Sequence, residues 1–222
     1  MTILLYDLVA EGDRRPSPFC IRTKLALAHK RLAFETVPVA MTDIPALHGG
    51  AFKTVPILKD GDHVVGDSWA IADYLDQAYP DRPPLFHSPE ERGLCRFFEA
   101  WLFSSVLQQV VRFYVKDIHD LVLEKDRGHF RATREARLGC TLEEAAAGRE
   151  ARLDAMRAGF DPVRLTLTHQ GQPFLSGPDP GYADFMLVGV LSWIEAIGTV
   201  PLVVDGDPLV AYLERVRASS KC

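Results

Sequence analysis

The chain has 222 residues, 47% of them hydrophobic, and a formal net charge of -5 spread along its length. That length allows one large domain or two small ones with a sizeable core, and the mixed, mildly acidic charge offers no basic stripe to nucleic acid and nothing to a membrane surface. Four cysteines (Cys20, Cys95, Cys140, Cys222) without a Cys-x-x-Cys pair, and seven histidines without a His-x-x-x-His, suggest neither a disulfide framework nor a metal site. No apolar run reaches the roughly 20 residues of a membrane span and no cleavable leader opens the chain, so a soluble, cytoplasmic protein is expected.

Residues 3 to 9, ILLYDLV, form a short apolar run rich in strand formers and end at the turn-prone EGDRRPSP. From Pro18 the residues Ile21, Leu25 and Ala28 recur at helical spacing. FETVPVA at 34 to 40 reads as a second strand, and TDIPALHGG as a weak helix broken by Pro45 and the glycine pair. TVPILKDGDHVVGD then gives two short strands around Asp60-Gly61, a strong hairpin signal. Ser68 opens a helix with Trp69, Ala72 and Leu75 on one face, ended by Pro80. The first two strands, joined by a helical crossover, should be parallel, and the hairpin should add antiparallel strands. This order is thioredoxin-like and predicts an α/β domain over residues 1–80. A proline-dense linker at 81–88 follows. Beyond it only helical patterns occur, at 89 to 118, 141 to 170, 183 to 198 and 207 to 219, predicting an all-α domain over 89–222.

Three features of the first half carry chemistry. Ser17 stands immediately before a helix N-terminus, where backbone donors and the helix dipole favour an anion. Val55-Pro56 puts proline in an internal strand, where an X-Pro bond is a candidate for the cis form that turns the Val55 backbone toward an extended peptide. Asp67-Ser68 opens the last helix of the domain, with a hydroxyl and free amides suited to a ligand carboxylate and an acid suited to an ammonium group. A peptide with one thiol, an extended backbone and an amino-acid terminus would use all three.

With Ser17-Pro18-Phe19, Thr54-Val55-Pro56 and Asp67-Ser68 in this order, the chain resembles the glutathione transferases of the cytosol along its whole length. The resemblance implies glutathione as co-substrate, no metal, a homodimer, and glutathione contacts at Lys53, Thr54, Val55, Pro56, Asp67 and Ser68. Phe52 joins Lys53 as a candidate contact to the glycine end, beside the reading of Lys53 as a solvated side chain. SPFCIRTKLALAHK, DSWAIADYLDQAYPDRPPLF, VRFYVKDIHDL and AAAGREARL are further similar to the bacterial β-etherase branch and its fungal relatives, which cleave lignin-type aryl ethers. Ser17 is then the catalytic residue: a hydroxyl donated to the glutathione thiolate favours its charged form by roughly one to two pKa units. An aromatic electrophile would sit in a pocket of Phe19, Trp101, Ser105, Gln108, Arg112 and Tyr114, with Arg112 a candidate to stabilise the leaving phenolate. A reductase or peroxidase using Cys20, and a binding protein without turnover, are the alternatives. The second domain departs from the family in placing Gly181 where a capping hydroxyl normally precedes Asp184, which is expected to fold the domain. REARLGCTLEEAAAGREAR reads as a solvated helical face.

Overall fold

A computed structural model describes residues 2–169 and 171–220; Gln170 and Cys222, which enter the expectations above, lie outside the described residues. Strand β1 (Ile3–Leu8) alternates buried and half-buried side chains, the period of a sheet with one wet face. Helix α1 (Pro18–His29) crosses over to β2 (Phe34–Val39), which pairs with β1 in parallel, Ile3 opposite Phe34. A 3-10 segment at Met41–Gly50 leads to β3 (Ile57–Asp60) and β4 (His63–Gly66), turned at Asp60 and at Gly61, whose positive φ of 59 suits glycine. The sheet order is β2-β1-β3-β4, with β3 antiparallel to both neighbours.

The register decides where the chemistry lies. Tyr6 faces Ile57 and Ile57 faces Gly66. The chain leaving β1 toward Ser17, the chain entering β3 from Val55-Pro56, and the chain leaving β4 into Asp67-Ser68 therefore emerge at one end of the sheet. Helix α2 (Ser68–Ala78) starts there. The segment after it is pinned by Lys30, a fully buried lysine whose Nζ donates to the carbonyls of Tyr79 and Pro83 and pairs with Asp76.

The second half is helical. Helix α3 (Pro89–Trp101) begins at a Ser88 cap and continues through a π-helical stretch, Leu102–Leu107, into α4 (Gln108–Leu121). Next come α5 (Glu124–Leu138), α6 (Leu142–Ala146), α7 (Leu153–Ala158) and α8 (Asp161–His169), then α9 (Tyr182–Ile197) and α10 (Pro208–Ser219). Two expectations need correction. The pattern predicts no helix over 124–138, because that stretch is dense in charge and buries only Asp126 and Phe130; the Asp126 carboxylate accepts from the amides of Met41 and Thr42 at 2.8 and 3.0 Å and so ties α5 to the sheet half. The stretch 141 to 170 is not one helix, since Gly148 takes a positive φ of 59 and the chain restarts in a 3-10 turn. Arg149 in that turn is not solvated either: it pairs with Asp117 and donates to Thr199 at 2.9 Å.

One apolar core runs through both halves, joining Leu5, Leu27 and Trp69 to Val110, Tyr182 and Met186. Helices α1 and α9 cross at Gly189, where an added Cβ would stand 2.6 Å from the Pro18 carbonyl and 3.1 Å from the Arg22 Cβ. No side chain fits between them. Among the described residues no helix is long and apolar enough to cross a membrane.

Candidate active site

Ser17 is the N-cap of α1, in extended conformation, and its Oγ accepts from the Cys20 amide at 3.2 Å. Pro18 occupies the first helical position, where its missing N–H costs nothing. The cap uses a lone pair of Oγ and leaves the hydroxyl hydrogen to donate. Capping and thiolate stabilisation are compatible roles for this one atom. The Cys20 thiol also neighbours it, but sulfur is a weak acceptor.

Cys20 itself is fully buried. Burial, with the nearby Asp7 carboxylate, pushes its thiol up to about 12, so the nucleophilic thiolate is absent at neutral pH. Native protein treated with iodoacetamide at about pH 8 should therefore show no alkyl group on Cys20 by peptide mass mapping, while denatured protein shows full labelling. Rapid native labelling would restore a redox role for this residue.

The Val55-Pro56 bond is cis and both residues are buried, whereas Lys53 and Thr54 are exposed. Phe52 is half-buried: its ring covers Gly66 and lies 6.0 Å from His48 in edge contact. Asp67 caps α2 at a positive φ of 71, accepting from the amides of Trp69 and Ala70 at 2.9 and 3.0 Å. Both bonds fall on Oδ1, so Oδ2 is uncommitted among the described residues.

Ser68 is tied to the second half. Its Oγ accepts from Arg22 at 3.0 Å (Nε) and 2.5 Å (Nη2), and its carbonyl accepts from the Tyr182 hydroxyl at 2.6 Å. Both lone pairs of the Ser68 hydroxyl are thus taken, where Ser17 uses one, and the hydroxyl hydrogen remains. Arg22, only 5% exposed, also donates to Glu99 at 2.8 Å, and Arg96 holds the other oxygen of Glu99 at 3.0 Å. These charges run across the junction of the two halves from α1 to α3.

A cavity of about 360 Å³ opens beside this chain of charges. Its floor is Pro18 and Phe19 of α1 with Met186 and Val190 of α9; Leu102, Phe103 and Leu107 form one wall, and Arg22, Arg96 and Glu99 the polar side. Of the pocket expected from sequence, Phe19 lines this cavity. Trp101 stacks near Phe98, Ser105 and Gln108 face solvent, and the Arg112 guanidinium stands 4.0 Å from the Cys140 sulfur. Tyr114 is fully buried, its hydroxyl donating to the Val200 carbonyl. The polar residues at spacings of three and four mark the wet face of the helix, and the inner face is shifted by the π stretch, which adds backbone without a sequence signature. Sequence reasoning missed Arg22, because the helical spacing of Ile21, Leu25 and Ala28 leaves it off the apolar face, and nothing in the sequence tied it to Ser68.

Comparison with known proteins gives a consistent result. A sequence profile described as the glutathione S-transferase N-terminal domain matches residues 13–83, and one for the C-terminal domain matches residues 93–200. Glutathione transferase GSTFuA3 from Phanerochaete chrysosporium has a similar structure over 100% of this chain and 98% of its own, with a TM-score of 0.87 and 26% identity. CsGST63524 of Ceriporiopsis subvermispora, solved in complex with glutathione, shares the fold over 99% of this chain and 98% of its own, with a TM-score of 0.87 and 24% identity. A probable glutathione S-transferase of Oryza sativa subsp. japonica, GSTU6, is 27% identical over 218 residues, 91% of this chain and 81% of its own.

Proposed function

Because the chain belongs to the glutathione S-transferase superfamily, we propose that it joins the glutathione thiolate to an aromatic electrophile held in the cavity between α1, α3 and α9, and that β-aryl ethers are its substrates. The observation that carries this reading is Ser17: a helix-capping hydroxyl whose Oγ accepts from the Cys20 amide and which keeps a hydrogen to donate, next in the chain to Pro18 of the apolar cavity. Glutathione would lie across the end of the sheet, its thiol at Ser17, its backbone on Val55-Pro56, its amino-acid end at Asp67 and Ser68, and its glycine end toward Lys53 and Thr54. Ser17 donates to the sulfur and holds it ionised. The sulfur then attacks the carbon bearing the ether; a C–S bond forms, the C–O bond breaks, and the electron pair leaves on the phenolate. Proximity and a sulfur ionised beforehand supply the acceleration. Arg22 and Arg96 are the cations that line the cavity, and they replace Arg112 as partners for the developing phenolate.

Two further parts of the reading rest on other observations. Leu94 and Phe97 on α3 are 69% and 73% exposed, an apolar face that suits a homodimer. A cytoplasmic protein fits an enzyme whose co-substrate is an intracellular thiol. The test is an aryl ether dimer with a fluorescent phenol as leaving group. Release that depends on glutathione and scales with enzyme is expected. Glutathione binding without release would reject ether cleavage and leave conjugation of another electrophile, or binding alone, to be separated by loss of free thiol with an activated aryl halide.

A further inference from the structure

Ile3, Leu5 and Asp7 share the buried face of β1, and the third of them is a carboxylate with 0% exposure. A buried charge is costly unless it is paired, and an apolar residue would fill this face without that cost. Asp7 is paired from two sides. The Lys24 ammonium on α1 contacts its Oδ2, and the Arg15 guanidinium of the loop stands 3.9 Å from the same oxygen. Neither carboxylate oxygen accepts a well-directed hydrogen bond among the described residues, so the two cations are the main hold on the group. The other ionisable groups facing this cluster are the Cys20 thiol, from α1, and Asp13, which takes the far side of Arg15 at 2.6 Å.

The positions of the partners give the cluster its meaning. Arg15 stands just before Ser17 in the loop, and Lys24 lies about two turns into α1. One buried anion at the end of β1 thus grips the chain on both sides of the capping serine. We propose that Asp7 is a positioning residue for Ser17: its carboxylate clamps Arg15 and Lys24 and thereby fixes where the Ser17 hydroxyl points. This rests on the reading of Ser17 as the thiolate donor.

The test compares Asp7→Asn, nearly isosteric, with Lys24→Met, which keeps most of the stem. The two remove opposite charges from the same clamp. Ultraviolet titration of the bound glutathione thiolate should show ionisation moved to higher pH in both variants. The kcat should fall roughly tenfold in both with the KM for glutathione little changed, because Val55 and Asp67 are untouched. A field effect without positioning gives opposite directions, since losing the anion eases ionisation and losing the cation hinders it; that result would overturn the proposal. Amide hydrogen exchange without glutathione is the independent arm. Residues 9–20 should exchange faster in both variants, and wild-type exchange there rejects the clamp. If wild-type protein binds no glutathione, the transferase reading fails while the exchange comparison still decides the clamp. Should Asp7→Asn not fold, Lys24→Met against wild type is decided by the exchange arm, since clamp and field both move its thiol ionisation to higher pH.

Discussion

Ser17→Ala should lower kcat/KM for glutathione-dependent turnover by about ten- to a hundredfold, the equivalent of one hydrogen bond to a charged group at roughly 1.5 to 3 kcal/mol. Glutathione affinity should change little, because the backbone and amino-acid ends of the peptide bind elsewhere along the sheet edge. The sign of the pH dependence follows from the donor. A hydroxyl that bonds the thiolate lowers the pKa of the bound thiol, so removing it moves ionisation back toward the free value near about 8.5. The variant's rate should therefore climb through the pH range in which the wild type is already level, and the gap between them should narrow as pH rises. A pH-rate profile of both enzymes reads this directly. The variant also loses the bond from the Cys20 amide to Ser17, a cap worth about 1 kcal/mol, so a small fall in melting temperature accompanies the kinetic effect. Parallel pH profiles, displaced only in amplitude, would mean that Ser17 shapes the helix start and does not ionise the sulfur.

The largest effect on stability should come from Asp184→Asn. This carboxylate is fully buried and every contact it makes is a donor: Oδ1 accepts from the Leu175 amide at 2.8 Å and the Tyr212 hydroxyl at 2.5 Å, and Oδ2 from the amides of Ser176 and Gly181 at 3.2 and 3.0 Å. Asparagine keeps the size but presents an NH₂ to one of these pairs, so two buried donors face a donor. Each unsatisfied group costs about 1 to 3 kcal/mol. The sum is a large part of the 5 to 15 kcal/mol that holds a typical protein together. For a chain of this size that is a drop in melting temperature on the order of 10 °C. Differential scanning calorimetry checks it, and a shift of only about a degree would show that the group is dispensable to the fold. The missing capping hydroxyl at Gly181 belongs to the same account. A Cβ there would meet the Ser176 Oγ at 2.5 Å and the Glu91 Oε1 at 2.9 Å, so the neighbours fill the place that a serine or threonine side chain would take.

The sheet half was legible because its signals are local. Alternation in ILLYDLV, the Asp60-Gly61 turn and the proline after Val55 each act over a few residues, and together they place Ser17, Val55-Pro56 and Asp67-Ser68 at one end of four strands. The helical half was legible only where apolar residues recur. Helix α5 escaped because its stabilising contacts are polar and reach across the molecule, as from Asp126 to Met41 and Thr42. Of the cavity lining only Phe19 was legible, for a different reason. Ser105 and Gln108 carry the polarity that suggests a binding wall, yet polarity at helical spacing also describes a solvent face, and here it does. The residues that line the cavity from α9, Met186 and Val190, look like any other core side chains in the sequence. Arg22 and Ser68 are far apart in the chain, and only the fold brings guanidinium and hydroxyl together.

The contact at Gly189 bears on how substrates come and go. With the Pro18 carbonyl seated against the bare backbone of α9, the sheet half and the helical half are spliced beside the very atom that would ionise the sulfur. Opening the molecule like a clamshell would tear that splice and displace Ser17 in the same movement. The cavity is bordered by Arg96 and by Phe103, which is 46% exposed, so its rim can be reached without parting the two halves.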